Sequence, residues 1–129
     1  MPATTAARTV EPVKVMVAGS SHARRLKEDL KAGELKNLVA DMVFCGRGGL
    51  TVADCLRGLQ SLERGAACFN TMGKWYTIHC GLLAERPDAV IMLIGGNDLD
   101  QGYEPEMVLA MMEEVQAGLC ALYGVLDVR

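Results

Sequence analysis

An apolar run of six residues, 89–94, ends in the pair Gly95-Gly96 and constrains the fold more than any other feature of the chain. A continuous apolar run of this length between turn residues is typical of a strand that is covered on both faces of a parallel sheet. Parallel strands need long crossover connections, which are usually helices. The rest of the chain is therefore expected to alternate strands with helices.

The remaining sequence shows that alternation. Strand-like runs cover residues 13–18 and 41–45, and a further strand begins at 125–128. Helical periodicity covers residues 21 to about 31, 52 to about 63, 74–85 and 104–123. A loop is expected at residues 65–73. We predict an α/β domain at residues 13–129, a flavodoxin-like three-layer sandwich with a parallel sheet. Residues 1–12 are small and polar, and we predict that they are a disordered N-terminal segment.

Composition excludes several classes of protein. The chain has 129 residues, half of them apolar, which suits one domain with one core. Its 13 basic and 16 acidic residues are interspersed, with a net charge of −3, so no nucleic-acid surface is expected. The longest apolar run is far shorter than the roughly 20 residues that span a bilayer, and no signal peptide is evident. We expect no membrane association and a cytoplasmic location.

The five cysteines are odd in number and include no Cys-x-x-Cys pair. This pattern argues against a disulfide framework and against a zinc site. We expect buried, reduced thiols, since free cysteine usually behaves as a small apolar residue. The sequence predicts no metal centre and no cofactor.

Three glycine-containing turns follow the three predicted strands. We call them the serine turn (residues 19–21), the glycine turn (residues 46–51) and the asparagine turn (residues 95–98). In a parallel sheet the carboxyl ends of the strands share one edge, and ligands bind there. The three turns are therefore expected to meet.

Each turn offers one group suited to acyl chemistry, and each also has an ordinary structural explanation. Ser21 supplies a hydroxyl at a helix start, where serine is also a preferred N-cap. Gly49 can aim a main-chain N–H outward, or only relieve a backbone bend. Asn97 can donate its amide to a substrate oxygen, or bond its own backbone. Asp98 is expected to cap or brace its loop.

Together these residues resemble the SGNH family, also called GDSL-type esterases and lipases, over roughly residues 13–100. The resemblance places Ser21 as the nucleophile, and Gly49 and Asn97 as donors to the oxyanion. The run 86–98, Arg-Pro-Asp-Ala-Val-Ile-Met-Leu-Ile-Gly-Gly-Asn-Asp, is the most specific part. It implies an SGNH-type domain that binds a small-molecule ester or acyl ligand.

The chain departs from that family in two places. Ser20 stands where the family usually has Asp, a change that resembles divergent subfamilies with a basic pair and Leu after the turn, here residues 24–26. The late Asp-x-x-His block is absent. His22 adjoins Ser21 and points elsewhere, and His79 is expected toward the other edge of the sheet. Because removing a triad member costs on the order of 10⁴ to 10⁶ in rate, we expect very weak esterase activity or none.

Several interpretations stay open. The chain is either a partial copy of a larger esterase domain, carrying the N-terminal portion of the fold, or a degenerate copy of one. The alternative is a non-catalytic pseudoenzyme or binding module that holds an acyl or anionic ligand in the same pocket. A phosphate site at the glycine turn is a further possibility. An unpaired sheet edge would also favour a homo-oligomer.

Overall fold

The computed structural model describes residues 13–29 and 41–129. The predicted disordered segment, residues 1–12, lies outside the described residues, as does the end of the first predicted helix. The described strands are β1 (Lys14–Gly19), β2 (Asp41–Gly46), β3 (Ala89–Leu93) and β4 (Asp127–Val128). The described helices are α1 (Ser21–Asp29), α2 (Val52–Glu63), α3 (Phe69–Met72), α4 (Trp75–Glu85), α5 (Gly96–Asp100) and α6 (Pro105–Tyr123).

The four strands form one parallel sheet in the order β2-β1-β3-β4. This confirms the α/β class and the parallel sheet, and the order agrees with that of a flavodoxin-like sheet. The chain steps from β1 outward to β2 and then back across β1 to β3. Because such crossovers are right-handed, the reversal places α1 on one face of the sheet and the helices that follow β2 on the other.

The face opposite α1 carries the main core. Met16 pairs in register with Val43 and with Val90, so these three side chains lie on the same face. They belong to one cluster with buried side chains of α4 and α6, among them Trp75 and Leu119. Burial of apolar surface between the sheet and these helices is the main contribution to the stability of the domain. This packing holds the strands in place, and with them the turns that follow their carboxyl ends.

Two short helices were not predicted. Residues 69–72, within the expected loop, form α3, and residues 96–100, expected as a plain turn, form α5. A helix of one turn is too short to show a periodic apolar pattern, so its sequence resembles a loop.

The cysteines are free, but the prediction that they are buried is wrong for most of them. Cys55 is buried and Cys45 is partly buried, whereas Cys68, Cys80 and Cys120 are exposed. Burial of a thiol depends on which face of a helix meets the sheet, and a single residue does not reveal this. None of the described helices has the length and apolar character needed to cross a membrane.

Candidate functional site

The serine turn lies directly against the end of β3. A Cβ atom built on Gly19 would be 2.3 Å from the main-chain oxygen of Leu93, so only glycine fits at this position. The next residue, Ser20, donates its main-chain N–H to the same oxygen over 3.4 Å. Helix α1 begins at Ser21, immediately beyond this contact. The candidate nucleophile is thereby fixed beside the asparagine turn.

The serine turn also contacts the glycine turn. The main-chain N–H of Arg47 donates to the oxygen of Gly19 over 2.9 Å. A Cβ atom on Gly46 would lie 2.9 Å from the oxygen of Ser20 and 3.4 Å from the nitrogen of Arg24, so the first turn of α1 rests on the end of β2. The residues immediately before Ser21 are therefore held between the ends of β2 and β3.

The glycine and asparagine turns contact each other across the end of β1. The Asn97 side chain donates from Nδ2 to the main-chain oxygen of Leu50 over 3.2 Å. The Asp98 carboxylate accepts hydrogen bonds from the main-chain N–H groups of Val52, at 2.8 Å, and Ala53, at 3.3 Å. Since β2 and β3 lie on opposite sides of β1, these bonds pass over its carboxyl end. All three turns meet at one edge of the sheet.

Asp98 has a larger role than the sequence suggested. Its side chain is fully buried, and it caps α2 rather than only its own loop. Thr51 and Asp54 form a capping box at the same helix end. The N–H groups of residues 52–54 are therefore satisfied by the protein itself. A phosphate at the glycine turn would find no free N–H in the first turn of α2, which argues against that alternative.

The three candidate groups remain available to a ligand. An amide NH₂ has two hydrogens, and Asn97 uses one of them on Leu50. Gly49 is exposed, with a left-handed φ of 76°, and its N–H meets no acceptor among the described residues. Ser21 is partly exposed, and its hydroxyl likewise has no hydrogen-bond partner in the described part of the chain.

Neither histidine is placed to serve Ser21. His22 is exposed on α1, next to Ser21 in sequence. His79 lies on α4 with its Nδ1 2.7 Å from the hydroxyl of Tyr123, and burial lowers the pKa of its imidazole. The hydroxyl of Tyr123 also accepts from Nε1 of Trp75 over 3.2 Å. His79 is thus engaged in the packing of α4 against α6, and not in the three turns.

Lys74 is a neighbour of the site that the sequence analysis missed. Its Nζ donates to the main-chain oxygen of Gly49 over 3.3 Å. The two residues are 25 positions apart, on a turn and at the start of α4, so no local spacing could have paired them. The lysine places a positive charge on the glycine turn.

An apolar cavity of about 320 Å³ adjoins the asparagine turn. It lies between α5 and the first turns of α6, and its lining includes Ile94, Leu99 and Leu109. Leu99 and Leu109 are largely exposed, so the cavity opens to the surface. A larger cavity, about 380 Å³, lies between α2 and α6 and shares no lining residue with the three turns.

Comparison with known proteins gives no family, since no protein-family model, no curated protein and no solved structure matches the chain. The geometry of the three turns is therefore the basis for a functional proposal.

Proposed function

We propose that this chain is an SGNH-type domain with a hydrolase-like site that binds esters and hydrolyses them slowly. The observation that carries the proposal is the pair of contacts, from Asn97 to Leu50 and from Asp98 to α2, that joins two turns over the end of β1. Ser21 begins the helix that follows β1, the strand whose carboxyl end this bridge crosses. Strand order and the parallel sheet support the same assignment.

The chemistry follows from the groups present. The hydroxyl oxygen of Ser21 would attack the acyl carbon of an ester, and the carbonyl oxygen would become an oxyanion. The N–H of Gly49 and the second amide hydrogen of Asn97 would donate to that oxygen. Donors held in place before reaction stabilise the developing charge without reorganising, and each is worth about 10² to 10³ in rate.

The proton of Ser21 needs an acceptor for the attack to be fast. Among residues 13–29 and 41–129, both histidines are exposed or engaged elsewhere. Oxyanion stabilisation and binding alone leave roughly 10³-fold acceleration over water. We therefore expect slow hydrolysis of activated esters, with p-nitrophenol as a good leaving group, and negligible hydrolysis of ordinary alkyl esters.

The apolar cavity supports an ester ligand. It adjoins Gly95 and Gly96, which immediately precede Asn97, one of the two proposed oxyanion donors. An acyl chain or an apolar alcohol part fits there while the carbonyl faces the turns. The cavity also falls at the lower end of the volumes usual for small-molecule sites, about 300 to 1,000 Å³.

A second candidate function is binding without turnover. The position of His79, bonded to Tyr123, favours it, because a site without a base keeps its oxyanion donors as a ligand-binding pair. The two candidates share the same residues and differ only in whether the acyl group is transferred to Ser21.

The test is hydrolysis of p-nitrophenyl acetate by the purified protein, its Ser21→Ala variant and a Thr77→Ala control. Thr77 has an exposed side chain on α4, so its loss removes a hydroxyl outside the site. The proposal expects slow release of p-nitrophenol that Ser21→Ala abolishes and Thr77→Ala retains, with an acetyl group found on Ser21 by mass spectrometry. No turnover together with ester binding supports the second candidate. Turnover unaffected by Ser21→Ala, or neither turnover nor binding, would refute both.

A further inference from the structure

We propose that the ligand of this site carries a negative charge, so that its ester is anionic rather than neutral. This inference rests on the proposed function and names the substrate class more narrowly. It follows from the cations close to the glycine turn and from the hydrogen bonds that the neighbouring carboxylates Asp54 and Asp98 already accept from the main chain.

Lys74 is the first of these cations. Its ammonium group is 3.3 Å from the oxygen of Gly49, one peptide unit from the N–H proposed as an oxyanion donor. A Cβ atom built on Gly49 would lie 3.1 Å from the same Nζ. The charge is therefore held against the turn itself and adjoins the place where the ester carbonyl is expected.

Arg47 is the second cation. Its backbone is fixed on both sides, since its N–H donates to Gly19 over 2.9 Å and its oxygen accepts from Leu50 over 3.1 Å. The side chain itself is exposed. The main chain of Arg24, another exposed basic residue, lies against Gly46 at the same end of β2. Basic side chains thus arise from the glycine turn, from α1 and from the start of α4.

Two carboxylates close to the glycine turn already accept hydrogen bonds from the main chain. Asp98 is buried and accepts from the main chain of α2. Asp54 accepts from the N–H of Thr51 and lies 3.7 Å from Arg57. Within the described ranges, the ion pairs involve neither Arg47 nor Lys74. The charges of Arg47 and Lys74 are therefore available to a ligand.

A fixed positive potential selects an anionic ligand over a neutral one of the same shape. Exposed ion pairs are individually weak, roughly two- to fivefold in affinity for each cation. Salt screens them, because the Debye length falls to about 3 Å at 1 M ionic strength. The preference should therefore be modest, additive over the two cations and strongly dependent on salt.

The experiment compares two esters of the same diacid that differ in charge, monomethyl succinate and dimethyl succinate. Each is titrated into ¹⁵N-labelled protein, and the amide signals of Gly49 and Asn97 are followed. The inference expects both esters to shift these signals, with the monoanion binding several-fold more tightly at low salt and losing that advantage at high salt.

Variants locate the effect. Lys74→Met and Arg47→Met should each reduce the preference for the monoanion roughly two- to fivefold. Lys74→Arg should restore it, because the charge is retained. Arg64→Met, which removes an exposed cation at the far end of α2, should keep the wild-type preference.

Failure of the inference differs from failure of the proposed function. Equal affinities for the two esters, unchanged in Lys74→Met and Arg47→Met, would overturn the anion preference and leave the ester site standing. If neither ester shifted the signals of Gly49 and Asn97, the ester site and the anion preference would both be refuted.

Discussion

The side-chain amide of Asn97 donates a hydrogen bond to the main-chain oxygen of Leu50 over 3.2 Å, across the carboxyl end of β1. This bond joins the turn after β3 to the turn after β2, although those strands never touch in the sheet. Asn97 therefore connects the two turns with one amide hydrogen and keeps the second for a ligand.

Asn97→Ala separates these two roles. Loss of one partly buried hydrogen bond should lower the free energy of unfolding by about 1 kcal/mol. Loss of an oxyanion donor should lower any esterase rate by about 10²-fold or more. Urea unfolding and p-nitrophenyl acetate hydrolysis measure the two effects. Asn70→Ala, in an exposed residue of α3, is the control and should change neither. A purely structural Asn97 would give the stability loss with an unchanged rate per folded molecule.

Asp98 should be among the most sensitive positions for stability. Its carboxylate is fully buried and accepts two main-chain N–H bonds at the start of α2. Asp98→Ala would leave those donors buried without partners, and we expect a loss of about 3 kcal/mol in the free energy of unfolding. Chemical denaturation checks the value. Asp100→Ala, an exposed residue of the same short helix, should change stability by less than about 0.5 kcal/mol. Similar effects of the two substitutions would contradict the capping role.

Gly19 should tolerate no side chain. A Cβ atom there would lie 2.3 Å from the oxygen of Leu93, so Gly19→Ala must push β1 and β3 apart. We expect a destabilisation of about 3 kcal/mol or more. Gly48→Ala is the matched control, because a Cβ atom at Gly48 meets no atom within 4 Å. Equal melting temperatures for the two variants would show that the serine turn does not lie against β3 as described.

His79 should make the fold less stable as pH falls. Burial lowers the pKa of its imidazole below the ordinary 6.5, so the folded protein favours the neutral form. As pH falls through about 6.5, the unfolded chain takes up a proton that the folded chain does not. Stability should therefore decrease from pH 6.5 down to the folded pKa, and this contribution should be constant above about pH 7.5.

The variant His79→Gln should lose that part of the pH dependence, as measured by urea unfolding midpoints across the range. His22→Gln, which replaces the exposed histidine of α1, serves as the control and should retain the wild-type profile. An unchanged profile in His79→Gln would contradict the assignment of this acid sensitivity to the buried imidazole.

The five thiols should react in a defined order with a water-soluble disulfide reagent. Cys68, Cys80 and Cys120 are exposed and should react first. Partial burial raises the pKa of Cys45, and deeper burial, with Asp54 and Asp98 nearby, raises that of Cys55. Cys45 should therefore react slowly, and Cys55 only on unfolding. Rapid reaction of all five in native protein would contradict the described packing.

The sequence predicted the fold well where a strand or helix is long enough to show a recurring pattern of apolar residues. Strand 89–94 and helix 104–123 lie within one residue of their predicted bounds, at Ala89–Leu93 and Pro105–Tyr123. The meeting of the three turns was also predicted, because parallel strands end at one edge. These conclusions need only the local pattern and the rules of sheet topology.

Other features depend on contacts between distant residues and were missed. Asp98 caps a helix that begins 46 positions earlier, and Lys74 contacts Gly49 across 25 positions. No spacing within one element encodes such pairs. The exposure of Cys68, Cys80 and Cys120 was missed for a related reason, since it depends on how each segment lies against its neighbours.

The most direct test of the account is a crystal structure of the protein with a small alkyl boronic acid, whose boron adds to a serine hydroxyl and mimics the tetrahedral intermediate. We predict boron bonded to Oγ of Ser21, with one boronate oxygen about 3 Å from both the Gly49 nitrogen and Nδ2 of Asn97. A boronic acid bound elsewhere, or a boronate on Ser21 whose oxygens reach neither donor, would contradict the claim that the three turns form one ester site.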